Sequence, residues 1–146
     1  MLIIICSVLL CCEIYSQQLY DYKIKNASNA NDRDKILNLI RNQLYKDFKI
    51  KVVFQVKKLN VCNNYAWFEG EAVNKDGTQI NINNNDGVMD CCHVEFLSQK
   101  VNGVWYKVEY GAFSTDVWWE DIWNRHKAPH KVYGMNDLIN LRNSQK

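Results

Sequence analysis

The apolar residues of this chain change period once, near residue 49, and that change limits its fold more than any other feature. Before it, Ile36, Ile40, Leu44 and Phe48 step by four, with Leu37 beside them, which predicts a helix over Asp32 to Phe48 with one apolar stripe. Asn31 or Asp32 is suited to cap its start, and Asp34 to its first turn. After it, Ile50, Val52, Phe54 and Val56 alternate with Lys49, Lys51, Gln55 and Lys57, the period of a half-buried strand, with Val53 as the exception. The alternation restarts one place out of step at Leu59 and Val61, which predicts a β-bulge near Lys57-Lys58.

The period of two persists for about sixty residues. Asn63-Asn64 is a tight turn, and Tyr65 to Asn74 a strand with Ala66, Phe68, Gly70 and Ala72 on one face and Tyr65, Trp67, Glu69 and Glu71 on the other. Asp76-Gly77 closes that strand. Residues 78–87 are an Asn-rich loop, with a short strand expected at Ile80 to Ile82. A further strand spans Val88 to Gln99, with Cys92, Val94 and Phe96 on one face. Asn102-Gly103 has the composition of a type I′ hairpin turn into the last strand, Val104 to Phe113. The tail differs in kind. Ser114-Thr115-Asp116 is a cap cluster, Val117 to His126 is expected to be a short Trp-rich helix, and Pro129 stops it. One helix followed by hairpin-linked strands is an α+β layout, an N-terminal helix packed on a curved antiparallel sheet of about four strands.

The stretch Leu2 to Leu10 is apolar apart from Cys6 and Ser7 and is too short for a bilayer span, which needs about 20 residues. It matches the apolar part of a secretion signal, with cleavage expected after the small Ser16. A lipoprotein reading through Cys11 or Cys12 is weaker, because Leu10 and Cys11 are poor residues to precede a lipidated cysteine. The expected organisation is a signal peptide over 1–16, a loose lead over 17–31, one α+β domain over 32–134 and a tail over 135–146, and export to the periplasm or beyond the cell. About 130 residues remain, enough to bury a core without staples. The whole chain carries a net charge of +2, and removing Glu13 with the signal raises it by one. A charge that small gives no electrostatic case for nucleic acid.

Three of the six cysteines fall in the signal, leaving Cys62, Cys91 and Cys92. In an oxidising compartment a bridge from Cys62 to Cys91 or Cys92 is expected, with one thiol left over. No zinc-ligand spacing occurs, and no metal or cofactor is expected.

From Arg33 onward the residues fall into a recurring pattern: Arg33, Leu37 and Arg41 on the helix; Tyr65-Ala66-Trp67-Phe68; Lys75-Asp76-Gly77; Gly103-Val104-Trp105-Tyr106-Lys107-Val108; Thr115-Asp116-Val117-Trp118-Trp119; and Ala128-Pro129. This pattern resembles an uncharacterised family of small exported bacterial domains, similar in fold to the cystatin-like or NTF2-like class. The second strand departs from it, since its tryptophan stands two places after Tyr65 instead of leading, and residues 80–86 are rewritten as an Asn run. The resemblance implies export and a small scaffold, and no activity. One long helix favours the simpler cystatin-like arrangement.

Two groups of residues are candidates for function. The sheet face away from the helix is expected to carry Tyr65, Trp67, Glu69, Glu71, His93, Glu95, Trp105, Lys107 and Glu109, which either pair as Glu–Lys neighbours in solvent or do acid–base work. The tail gathers Asp116, Trp118, Trp119 and Trp123, with Trp119 and Trp123 expected on one helix face; with Trp67 they are candidates for an aromatic binding site. The competing role for the same tryptophans is to dock the tail on the sheet, with Asp116 as the helix N-cap. Three functions follow. The first is a binding module for a protein, an envelope component or a small apolar ligand held in the concavity between helix and sheet. The second is a small hydrolase or isomerase using Asp116 or a sheet carboxylate as base. The third is a structural homodimer paired through Trp67 and Trp105.

Overall fold

In the computed structural model, residues 18–82 and 89–134 are described. The expected signal, residues 83–88 and the segment 135–146, including the turn anticipated at Asn136 to Arg142, lie outside the described residues. The elements run β1 (Leu19–Asp21), α1 (Ala30–Phe48), β2 (Val53–Cys62), β3 (Tyr65–Val73), β4 (Met89–Val101), β5 (Val104–Ser114), α2 (Ile122–His126) and a 3-10 turn, His130–Tyr133. The strands form one antiparallel sheet in the order β1-β2-β3-β4-β5. The fold is therefore α+β, with five strands where four were expected. The extra one, β1, lies within the stretch read as a loose lead. Its three residues are exposed and show no period, and pairing with Asn60 to Cys62 is what holds them extended.

The stripe on α1 does what its spacing requires. Ile36, Leu37, Ile40 and Leu44 are buried against Phe68, Phe96, Val94 and Ala72 from the sheet. Each such side chain is worth about 1.5–3 kcal/mol of burial. The helix starts two residues earlier than expected, after Asn29 rather than at Asn31 or Asp32, and no side chain caps it. The Asn29 amide is used in the preceding loop instead, donating to the Ile24 carbonyl at 2.9 Å and accepting from the Asn26 N–H at 2.9 Å. Lys49 ends the helix in a left-handed conformation, its N–H donating to the Tyr45 carbonyl. The Asp47 carboxylate on α1 accepts from the Tyr110 hydroxyl on β5 and from the Gln43 amide. Burial first, and then this bond, push the Tyr110 phenol up to about 12.

The register of β2 with β3 shifts between Val56 and Lys58, where the alternation predicted a bulge. The turn residues Asn63, Gly77, Asn102 and Gly103 all have positive φ, as their turn types demand. A second shift, between Leu97 and Ser98, sets Leu97 opposite Glu109 and Ser98 opposite Lys107, so Val108 is an extra residue on β5. That bulge corrects one expectation. Trp105 lies on the helix side, 6% exposed in the main core and opposite Lys100, instead of beside Trp67. Lys100 lies 5.5 Å from its ring and pairs with Asp32 of α1 at 2.7 Å. Trp67 is 3% exposed on the other side, so neither tryptophan is available to pair two copies of the chain.

The expected Cys62 bridge does not form. Cys62 opposes Tyr65, which opposes Gln99, and Cys92 stands about seven residues further along β4, roughly 23 Å away. A disulfide tolerates Cα atoms no more than about 7 Å apart. Cys62 is a free, buried thiol, raised in pKa by that burial, and Cys91 and Cys92 are joined to each other. Among the described residues, no helix is long and apolar enough to cross a membrane.

Candidate functional site

The outer face of the sheet has two halves. One half is charged. Lys57 pairs with Glu71 at 2.6 Å, Lys58 with Glu69 at 3.3 Å, and His93 with Glu95 at 3.0 Å. Lys57 also holds the Glu71 carboxyl below its ordinary range. The carboxylates expected there are thus present on one face, and each is matched by a base. Among the described residues, no group of three or more His, Cys, Asp or Glu could hold a metal ion.

The other half is covered by residues 117–134. Trp67, Leu97 and Cys62 of the sheet pack with Ile122, Ala128, Val132 and Tyr133 of the tail, and Trp118, Trp119 and Trp123 close the edges of this second core. Trp118 is 6.1 Å from Trp67, centroid to centroid, and it lies so close over Gly111 that a Cβ there would overlap the indole. Tyr133 packs at steep angles against Trp67 at 4.9 Å and Trp123 at 5.6 Å, centroid to centroid. Its buried hydroxyl has no hydrogen-bond partner among the described residues; burial, then Tyr65 and Glu109, raise its pKa well above the tyrosine range.

Polar contacts fasten the same segment. The Tyr65 hydroxyl donates to the His126 carbonyl at 2.9 Å and accepts from the Gln99 amide. Asn60 donates to the Val132 carbonyl at 3.0 Å and Lys58 to that of Tyr133 at 3.3 Å. Glu109 receives Arg125 at 3.0 Å and His126 at 2.6 Å.

The aromatic residues expected in the tail are therefore brought together, but as packing. Only Trp123 belongs to α2, which starts at Ile122; Trp118 and Trp119 lie in the turns before it, so the expected helical pairing of Trp119 with Trp123 is absent. Asp116 is exposed and is not the N-cap, a position that Asp121 occupies. Among the described residues, Asp116 makes a hydrogen bond from its backbone N–H to Ser114 Oγ, and its carboxylate engages no histidine or nucleophile. The side chains of the main core occupy the space between α1 and the sheet, and an open pocket of about 390 Å³ remains at its margin, where Lys35, Asn38, Leu39 and Asn42 meet Gly103, Val104 and Trp105.

Where the tail meets the β2–β3 hairpin, an open groove of about 570 Å³ remains. The rings of Tyr65 and Trp123 line it, with the Asn63 and Asn124 amides at its sides. Lys127, His130 and Lys131 supply its basic groups, and among the described residues no Asp or Glu lines it. The local fold sets these positions. Asn63 occupies a left-handed turn, Lys127 the left-handed C-cap of α2, and Pro129 directs the chain into the 3-10 turn that begins at His130. His130 lies 5.7 Å from Trp123, centroid to centroid. Of these residues, the sequence singled out Trp123 as a site candidate and noted Tyr65 only for the outer face. The rest were missed because they converge from two segments some sixty residues apart, and the one available signal was basic residues flanking the single proline.

Comparison of the chain with protein-family models, with curated proteins and with solved structures finds no match in any of the three.

Proposed function

We propose that the chain is an exported binding module of cystatin-like layout that acts without a cofactor and binds in the groove between the tail and the β2–β3 hairpin. The observation that carries this reading is the lining of that groove: among the described residues, two aromatic rings, two asparagines and basic groups with no carboxylate, on walls set by the fold. Ligand sites are typically concave and largely preformed, with aromatic surface and a few oriented polar groups. Export is supported by the apolar stretch before Ser16 and by the likeness to small exported bacterial domains. One long helix over a meander sheet favours the cystatin-like over the NTF2-like arrangement. No observation favours the hydrolase reading, since Asp116 lies exposed on a turn.

The test uses isotope-labelled protein purified from cells expressing the full chain, with its N-terminus sequenced to read the expected cleavage after Ser16. Three probes are titrated by NMR: soluble peptidoglycan fragments, a random peptide pool and anilinonaphthalene sulfonate. A probe that moves the Trp123 indole and the Asn63 and Asn124 amides ahead of the Trp105 indole supports the reading. If all three leave the groove signals unmoved, the reading falls.

A further inference from the structure

We infer that the groove between the tail and the β2–β3 hairpin selects an acidic saccharide, a sugar ring carrying a carboxylate; this inference rests on the binding-module reading above. Charge comes first. Among the described residues the groove holds Lys127, Lys131 and His130 and no carboxylate, although the acidic residues of the chain nearly equal the basic ones in number, 16 against 18. On the rest of the outer face Lys57 pairs with Glu71, Lys58 with Glu69 and Arg125 with Glu109, and in the groove the cation that carries the selection is Lys127. Lys127 is exposed and engages no acid among the described residues. The nearest acid along the helix, Asp121, accepts from the Asn124 amide. An anion entering here meets cationic donors, and charge-assisted hydrogen bonds are roughly twice as strong as neutral ones.

Shape and chemistry narrow the anion. Trp123 is half-buried and presents a flat indole, the kind of surface on which a ring stacks. The Tyr65 hydroxyl is already engaged on both sides, so Tyr65 offers the groove its ring rather than a donor. Asn63 and Asn124 bring amide groups, and amides both donate and accept. A ligand matched to that set has many hydroxyls, each able to give and take a hydrogen bond, and one negative charge. A simple aromatic acid uses the rings and the lysine but leaves the Asn63 side chain and the Asn124 amide oxygen, whose NH2 already donates to Asp121, without a hydroxyl to meet.

The experiment titrates the full-chain protein, at low salt, with tetragalacturonate, with its methyl ester and with benzoate, reading the groove signals by NMR and affinity by calorimetry. The acid is expected to bind about tenfold more tightly than the ester, an advantage that shrinks as salt screens the charges. Lys127→Gln and His130→Gln, both at exposed positions, are expected to lower affinity for the acid about three- to tenfold while leaving the fold intact. Lys51→Gln, in a separate groove beside α1, is expected to change nothing. If ester and acid bind alike, charge selection is wrong and this inference falls, while the moved groove signals keep the module reading. Equal response to benzoate overturns the saccharide. If no saccharide moves the groove but an earlier probe does, the ligand class is wrong; if nothing moves it in either experiment, both readings fall.

Discussion

On one face of the sheet a 19-residue helix delivers four buried side chains at regular spacing; on the other, a segment whose α-helix is five residues long delivers tryptophans, a tyrosine and a set of side-chain-to-carbonyl bonds. The helix face is stabilised mainly by apolar area, a force that needs no particular partner geometry. The tail face depends on directional contacts, in which one misplaced atom leaves a buried polar group unmatched. A short helix has little stability of its own, so α2 is held in place by what it packs against. The two faces should therefore fail differently, and the charged half beside the tail should matter least of all.

The largest effect expected is at Ile40. Ile40→Ala removes a fully buried side chain from the main core and is expected to cost about 2–5 kcal/mol, seen as one cooperative loss of structure in denaturant titration. Gly111→Ala tests the other face. The added methyl displaces the Trp118 indole, at an expected cost of about 1–3 kcal/mol. Hydrogen exchange should then speed up in residues 117–134 while α1 stays protected. If both variants unfold the molecule as one unit with equal exchange everywhere, the faces are not separable.

Next come two tyrosines on the tail face. Tyr65→Phe removes a donor from the His126 carbonyl and an acceptor from Gln99, with an expected loss of about 1 kcal/mol. Tyr133→Phe removes a buried hydroxyl that has no partner among the described residues, and is expected to leave stability unchanged or slightly raised. A thermal scan of both variants checks the pair, and reversed signs would mean that the hydroxyl contacts are misread.

The smallest effect is one of pH. Tyr110 titrates near 10 when unfolded and about 12 when folded, so the folded state holds its proton more tightly. Its contribution is fully present below pH 10 and is lost as pH rises toward 12. Stability measured across that window should fall less steeply in Tyr110→Phe than in the parent chain.

Much of this contrast was legible in the residues. The stripe on α1, the bulge at Lys57-Lys58, the inward set Ala66, Phe68 and Ala72, and the Asn102-Gly103 turn all follow from local pattern, because each is decided within a few residues. Trp105 was assigned to the wrong face because an extra residue at Val108 reverses the alternation, and nothing near Val108 marks a bulge. β1 has no period to read, and its extended form comes from its partner strand. The tail tryptophans were rightly suspected of packing, yet their turn conformation depends on Gly111 and Trp67, distant in sequence. The groove was the least legible part, since it exists only where the two segments meet.

Three of the bonds that fasten the tail join residues 61, 72 and 75 positions apart, whereas β2 through β5 are hairpin neighbours, apart from the longer β3–β4 connection. Contacts between sequence neighbours close quickly, and distant ones must wait for the intervening chain to be ordered. The hairpin strands are therefore expected to pair first, with the tail docking later onto a surface already built. During that interval Trp67 and Leu97 face water, and the groove does not exist until that docking has brought Trp123 beside the hairpin.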